Sequence, residues 1–314
     1  MVLTANDVDR FEASRPRLEA IAYRLLGSAS EAEDAVQDTF LRWQTADIER
    51  IEVPEAWLTK VLTNLCLNQL TSARARRETY VGHWLPEPLL AGDPMLGPAD
   101  TAEQRESLSY AVMAVLERLS PGERAVYVLR EAFGYPHREI AEILDLTEAA
   151  SQQTFHRAKK HVADGRARAE VSEAAARRVI DEFLVAATSG RTEPLVRLLT
   201  QDAIAIGDGG GKVPARARAF EGALAVATFM RGLFKPSAAK RALVGGSPAL
   251  HVTTANGGPA LVAVLDGRIV GVMCLEITPE GIAAFRNQVN PDKLVRASRR
   301  WAATDHGEPL LDAF

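Results

Sequence analysis

Apolar positions at helical spacing open the chain. Leu18, Ile21, Ala22, Leu25 and Leu26 fall on one stripe, and Gly27 marks its stop. Ser30 followed by Glu33 has capping-box spacing and predicts a second helix over residues 31–43. Its inner stripe is Ala35, Val36, Thr39, Phe40 and Trp43. Pro54 is placed to open a third helix, where a missing N–H is harmless. Trp57, Leu58, Val61, Leu62 and Leu65 form the buried side of that helix, which ends in the basic run Arg74, Arg76 and Arg77. Residues 78–101, with WLPEPLLAGDPMLGPAD, are rich in Pro and Gly and predict a linker without regular structure. Helical spacing resumes over residues 102–168, where Pro121, Gly134 with Pro136, and Asp145 divide it into four short helices. From residue 169 the pattern changes. One amphipathic helix, Glu173 to Thr188, precedes short alternating runs such as Ala203–Ile206, Ala249–Thr253, Leu261–Leu265 and Val270–Ile277. Turn signals separate them at Asp208–Gly211, Asn256–Pro259 and Asp266–Gly267. The expected fold is multidomain: all-α units at 1–77 and 102–168, a linker at 78–101, and an α+β unit of antiparallel strands at 169–314.

The second helical unit has the layout of a helix-turn-helix. Ile140, Ala141, Ile143 and Leu144 are the inner side of its first helix, Asp145 and Leu146 make the turn, and Thr147 caps the next helix. On that second helix Phe155, Ala158 and Val162 form the inward stripe. The other face offers Gln152, Gln153, His156, Lys159 and Lys160, amides and imidazole for base edges and ammonium groups for phosphates. Glu148 and Gln152 near the helix start are placed for bases, whereas Arg157, Lys159 and Lys160 are placed for the backbone. A solvated helical hairpin has the same pattern, but the dense basic end favours DNA.

Composition changes the picture little. Of 314 residues 47% are hydrophobic and 25% charged, as in globular domains, and the net charge of −4 does not announce a nucleic-acid partner. No apolar run approaches the roughly twenty residues needed to span a bilayer. The N-terminal segment lacks the apolar core of a signal peptide, so a cytoplasmic protein is expected. Cys66 and Cys274 stand far apart without CxxC spacing, which argues against a disulfide framework and a structural zinc site.

SEAEDAVQDTFLRW and EAWLTKVLTNLCLNQLTSARARR resemble the second conserved region of the extracytoplasmic-function sigma factors. LSPGERAVYVLREAFGYPHREIAEIL, followed by HRAKK, resembles their fourth region. The remainder is similar to SnoaL-like domains, cone-shaped α+β folds of the nuclear-transport-factor-two type. WLPEP at Trp84–Pro88, DGGGK at Asp208–Lys212 and NPDKL at Asn290–Leu294 resemble motifs of the subgroup carrying such an extension. The resemblance implies core RNA polymerase and promoter DNA, duplex and melted, as partners, with no cofactor and no membrane. It implies that Glu33, Asp34, Gln37 and Asp38 meet the polymerase, with Val36 and Phe40 as the apolar centre. Asn64 matches the asparagine beside the loop that meets the minus-ten element, and Lys60, Arg74, Arg76 and Arg77 would hold strand phosphates. Ser151 stands where many members bury a valine, and Gln152 where related members often carry a basic residue, so the minus-thirty-five sequence does not transfer.

The C-terminal unit holds candidate acid–base groups in Asp208, His251, Asp266 and Glu276, but no recognisable dyad and hence no catalytic assignment. Asp208–Lys212 is not a phosphate loop, since Ile206 and Val213 occupy its first-glycine and Ser/Thr positions. Its glycines Gly209, Gly210 and Gly211 suit a tight turn or a close backbone contact. A regulatory contact is expected in which Trp84, Pro86 and Glu87 meet Asp208, Lys212, Asn290, Pro291, Asp292, Lys293 and Leu294. A small ligand in the cone is compatible with the sequence, which does not identify one. The competing readings are a helix-turn-helix regulator of duplex DNA and a polyketide cyclase-like enzyme fused to a DNA-binding module. Neither needs the acidic helix at residues 31–43.

Overall fold

The structure, a computed structural model, describes residues 4–78, 80–97, 102–164, 172–216 and 218–312. It divides into two compact units, Met1–Thr79 with Gly92–Arg166, and Tyr80–Ala91 with Ala167–Phe314. The two helical segments read from the sequence are therefore one unit. The expected linker is split, residues 80–91 folding with the C-terminal unit and the rest grouping with the helical one.

The helical unit begins with α1 (Ala5–Leu26), α2 (Ala29–Thr45) and α3 (Pro54–Glu78). Thr4 and Asp7 form a capping box at the start of α1, and Gly27 ends it with φ 69°. The cap of α2 is Ser28, whose hydroxyl accepts from the Glu31 N–H, and not Ser30 as the spacing suggested. Capping reaches two or three residues into the helix, and Ser28 with Glu31 satisfies that distance as well as Ser30 with Glu33. The second segment contains α4 (Ala102–Leu108), α5 (Tyr110–Leu116), α6 (Pro121–Tyr127), α7 (His137–Leu144) and α8 (Glu148–Asp164). That is five helices where four were expected. The extra break comes at Ser109, which caps α5 by accepting from the Val112 N–H. A single wide turn, Val128–Ala132, continues α6.

The two segments share a core with buried charge. Arg24 and Arg124 are 0% and 2% exposed. Arg124 Nε donates to the Arg24 carbonyl at 3.1 Å, and its other end pairs with Glu117 at 2.6 Å. Arg24 Nε donates to Ser107 Oγ at 3.4 Å, and its guanidinium lies 5.1 Å from the Phe133 ring centroid. Desolvation pushes both guanidinium groups down, Arg24 to about 10 and Arg124 to about 9. The Pro-rich stretch adds Met95, fully buried, and Gly97, where a Cβ would stand 2.4 Å from Ala20 Cβ.

In the C-terminal unit α9 (Glu173–Thr188) and α10 (Glu193–Leu198) precede β1 (Leu199–Asp208) and β2 (Phe220–Glu221). Then come α11 (Ala223–Phe234), α12 (Ala238–Val244), β3 (Ala249–Ala255), β4 (Gly258–Leu265), β5 (Arg268–Thr278) and β6 (Gly281–Gln288). The unit closes with α13 (Val295–Ala302) and β7 (Leu311–Asp312). One seven-stranded sheet runs β2-β1-β6-β5-β4-β3-β7. The expected antiparallel pairing holds for every neighbouring pair of strands but one: β1 and β6 pair parallel. Two-residue hairpin turns of type I′ need two successive residues with positive φ. Asn256–Gly257 and Asp266–Gly267 supply them, with φ 52° and 73°, and 49° and 74°. Phe183, Leu184 and Leu195 from α9 and α10, with Val226 and Met230 from α11, pack with Leu275 and Phe285 of the sheet. Among the described residues no helix is long and apolar enough to cross a membrane.

Candidate functional site

On α2 the 3.6-residue period separates two faces. Ala32, Ala35, Val36, Thr39 and Trp43 are fully buried, and Glu33, Asp34, Gln37 and Asp38 are exposed together on the other side. The expected apolar centre of this surface is corrected. Val36 belongs to the core, and Phe40 is half-buried with its ring 4.8 Å from Phe11. The exposed apolar side chain on this helix is Leu41.

On α3 Lys60 and Asn64 are one turn apart and half-buried. Lys60 Nζ donates to the Glu142 carbonyl at 2.7 Å and to Asp145 Oδ1 at 2.6 Å, so it meets the turn of the helix-turn-helix. The side chains of Arg74, Arg76 and Arg77 lie outside the described residues.

The turn between α7 and α8 is set by Asp145, at φ 54°, and by Thr147 Oγ1, which accepts from the Ala150 N–H. Ala158 and Val162 are buried, and Phe155 stacks on Tyr127 with centroids 6.3 Å apart. The departure at Ser151 has a local answer: the hydroxyl is fully buried and pairs with His137 Nδ1 at 3.0 Å. Burial lowers the His137 pKa, with Arg130 acting the same way. Glu148, Gln152, Gln153, His156, Arg157, Lys159 and Lys160 are exposed. Two of the cations have acidic neighbours on the same unit, Lys159 with Glu131 at 3.3 Å and Arg157 with Glu123 at 3.7 Å. Screened pairs of this kind are weak, so both can exchange their partners for phosphate.

In the C-terminal unit the three short motifs converge on Asp208, which is fully buried at the end of β1. Its Oδ1 accepts from the Tyr80 hydroxyl at 2.6 Å and the Gly210 N–H at 3.0 Å. Its Oδ2 accepts from the Leu85 N–H at 2.9 Å, Gln288 Nε2 at 3.2 Å and Lys293 Nζ at 2.8 Å. A buried carboxylate is tolerable only when paired and hydrogen-bonded, and Asp208 is both. Lys293 Nζ also donates to the Leu85 carbonyl at 2.7 Å and lies 3.9 Å from the Trp84 ring centroid. Pro86 and Glu87 are buried beside it, and Gln288 Nε2 reaches the Pro86 carbonyl at 3.3 Å. Burial, and secondly the carboxylate it donates to, hold the Tyr80 phenol above its usual range.

The DGGGK turn needs its glycines. A Cβ on Gly209 would stand 2.0 Å from the Val213 carbonyl oxygen, and one on Gly210, at φ 58°, would stand 2.2 Å from Asn290 Nδ2. Gly211 approaches Val81. Asn290 caps the NPDKL turn by accepting from the Asp292 N–H at 3.1 Å, Pro291 is exposed, and Leu294 is buried. Lys212 and Asp292 make an exposed ion pair at 2.6 Å.

Residues 80–91 thus form a strap on the C-terminal unit. The Leu89 N–H donates to Asn256 Oδ1 at 3.0 Å, the Asn256 N–H returns to the Leu89 carbonyl at 2.8 Å, and Leu90 bridges to Ala255. Tyr80 and Gln288 were not singled out from the sequence, and Asn256 was read only as the start of a turn.

Of the four acid–base candidates, Asp208 serves the strap and Glu276 pairs with Arg286. Asp266 is exposed in a hairpin, and His251 packs edge-on against Trp301. Among the described residues no group of three His, Cys, Asp or Glu side chains could hold a metal ion.

Family models for Sigma-70 region 2 and Sigma-70 region 4 match residues 10–76 and 109–162. The ECF RNA polymerase sigma factor SigJ of Mycobacterium tuberculosis is 35% identical over 294 residues, covering 91% of this chain and 93% of that protein. A probable ECF sigma factor of the same organism, SigI, is 29% identical over 296 residues, covering 90% and 93%. The crystal structure of the Mycobacterium tuberculosis extracytoplasmic function sigma factor SigJ superposes with a TM-score of 0.70 at 33% identity, over 91% of this chain and 97% of that one.

Proposed function

Since the chain belongs to the extracytoplasmic-function sigma factors, we propose that it joins core RNA polymerase, directs it to specific promoters in the cytoplasm and is regulated by its own C-terminal unit. The observation that carries the promoter reading is the split of α8. Ser151, Ala158 and Val162 are buried, while Gln152, Gln153, His156, Lys159 and Lys160 are exposed. This row gives amides to base edges and ammonium groups to phosphates in a major groove. The face of Glu33, Asp34, Gln37 and Asp38 meets the polymerase by charge complementarity. Asn64 captures an unstacked base of the minus-ten element, and Lys60, Arg74, Arg76 and Arg77 hold the strand. Run-off transcription with purified core enzyme tests this reading; no promoter-specific transcript with the full chain added would overturn it.

Regulation rests on the strap. Residues 80–91 join the two helical segments in sequence, and their docking on the C-terminal unit limits how far those segments can separate when DNA is bound. The network of Asp208, Gln288, Asn290 and Lys293 is the clasp. The C-terminal unit acts by binding, and the lining of its cavity is mostly apolar. Truncation before Asn290 is expected to raise transcription from a cognate promoter while core binding survives. Equal transcription from full-length and truncated chains would overturn the regulatory reading.

A further inference from the structure

The C-terminal unit encloses a cavity of about 320 Å³ between α11, α12 and the sheet. That is within the range of clefts that hold small molecules, about 300–1,000 Å³. Phe220, Phe229, Leu233, Leu261, Met273 and Val289 give it an apolar lining, with Phe220 and Phe229 stacked at 4.2 Å. Arg216 and Arg218 are exposed among its lining residues, and the Arg216 guanidinium lies 4.7 Å from the Phe220 centroid. Lys240, the other cation of the lining, is committed to the end of α11, donating to the Leu233 and Lys235 carbonyls at 2.9 and 2.8 Å.

One polar side chain inside this lining is out of place. Asn287 is 9% exposed, and its Oδ1 is buried without a hydrogen-bond partner among the described residues. Natural interiors seldom leave such an acceptor unmet, and an exception calls for a ligand, a water or a function. Asn287 sits on β6 on the same side as Phe285, two residues before it. A leucine there would have continued the apolar wall.

We propose that this cavity binds a small amphipathic carboxylate. Its apolar body lies between Phe229 and Met273, a hydroxyl donates to Asn287 Oδ1, and its carboxylate meets Arg216 and Arg218 at the mouth. The three features match three parts of one molecule: an apolar volume, a lone buried acceptor and a cationic rim. The site stands independently of the sigma-factor reading, because its test measures binding and not transcription.

The test titrates the full chain with 1-anilinonaphthalene-8-sulfonate, an apolar anion, and displaces it with 3-hydroxydecanoate or decanoate. One probe molecule is expected per chain, with 3-hydroxydecanoate displacing it about fivefold better than decanoate, the size of one neutral hydrogen bond. Asn287→Leu should abolish that difference while keeping probe binding. Arg216→Ala with Arg218→Ala should weaken decanoate and leave decan-1-ol unchanged. Ala263→Phe, which fills the cavity from β4, should weaken all of them. Equal displacement by the two acids, or a preference that survives Asn287→Leu, would overturn the proposal. Where Ala263→Phe does not fold, the Asn287→Leu comparison still decides.

Discussion

The ammonium of Lys60 on α3 lies 2.6 Å from the carboxylate of Asp145, the left-handed residue in the turn of the helix-turn-helix. A cation read as a contact for melted promoter DNA is thereby held by the duplex-reading segment of the same unit. Lys60 and Asp145 are 39% and 76% exposed, so the pair is worth at most about 1 kcal/mol and DNA can compete for it. Lys60→Ala is expected to leave the melting temperature nearly unchanged and to reduce open-complex formation. Asp145→Asn, which keeps a residue tolerant of this backbone, should leave open complexes equal or more abundant. Permanganate reactivity of the melted region checks both; loss of opening in Asp145→Asn would show that the pair is needed on DNA.

Two neighbours on α2 should separate polymerase binding from stability. Asp34→Lys reverses charge on the exposed face and is expected to weaken association with core enzyme at an unchanged melting temperature. Val36→Ala empties a fully buried site and should cost about 1.5–3 kcal/mol of unfolding free energy. Denaturation curves paired with a core-binding titration resolve the two.

On α8, Gln152→Ala should relax base preference by about 1–3 kcal/mol at one promoter position, as expected for a bidentate contact. Lys159→Ala should weaken binding to every sequence and flatten its salt dependence. An identical, sequence-independent loss from both would remove Gln152 from the base-reading set.

Breaking the clasp leaves a buried charge unmatched. Lys293→Met strands the Asp208 carboxylate and should cost about 3–5 kcal/mol within the C-terminal unit. Loss of protection at the Leu85 and Leu89 amides should accompany it, measured by hydrogen exchange. The exposed pair Lys212–Asp292 is the control, and Lys212→Ala should cost under about 1 kcal/mol.

Occupancy of the cavity should be felt at the strap. Gly207 and Asn287 are register partners in β1 and β6, and the next pair along is Asp208 with Gln288. Successive residues face opposite sides of a sheet, so one rung lines the cavity and the next holds the strap. Adding 3-hydroxydecanoate is expected to slow exchange of the Leu85 amide in the unaltered protein and not in Asn287→Leu.

The C-terminal unit should lose stability in mild acid. Burial, with His306 secondarily, lowers the His251 pKa, so the folded state binds its proton less readily than the unfolded chain does. That contribution is present above the unfolded value of about 6.5 and is lost as pH falls through the folded one. His251→Phe should flatten the slope of stability against pH below about 6.5, read by chemical denaturation.

The helical unit was largely legible because its signals are local. Gly27, Pro54, Pro121, Asp145 and Thr147 each act within one turn, and the stripe of Ala158 and Val162 needs only the helical period. The cap at Ser28 was misplaced because two serines compete within three residues. What was missed depends on distant partners. The segment 80–91 reads as a Pro-rich tether, yet Leu85, Leu89 and Leu90 are 3%, 1% and 3% exposed because the sheet supplies their cover. Strand β6, GIAAFRNQ, showed no alternation because Asn287 and Gln288 are polar on both sides, one toward the cavity and one toward the strap. The motif residues around Asp208 could be grouped only by resemblance. Their common point is a buried carboxylate that no spacing announces.

The strap also sets an order of events during synthesis. Leu85 precedes Lys293, which grips its carbonyl, by 208 residues. At ribosomal speeds of about 5–20 residues per second, roughly 10–40 seconds separate the two. By then the first helical segment has already emerged, and through that interval the second follows while Leu85, Leu89 and Leu90 have no sheet to cover them. A newborn chain is therefore an unclasped one, and the ribosome hands the cell a brief population of this protein whose C-terminal unit is not yet finished.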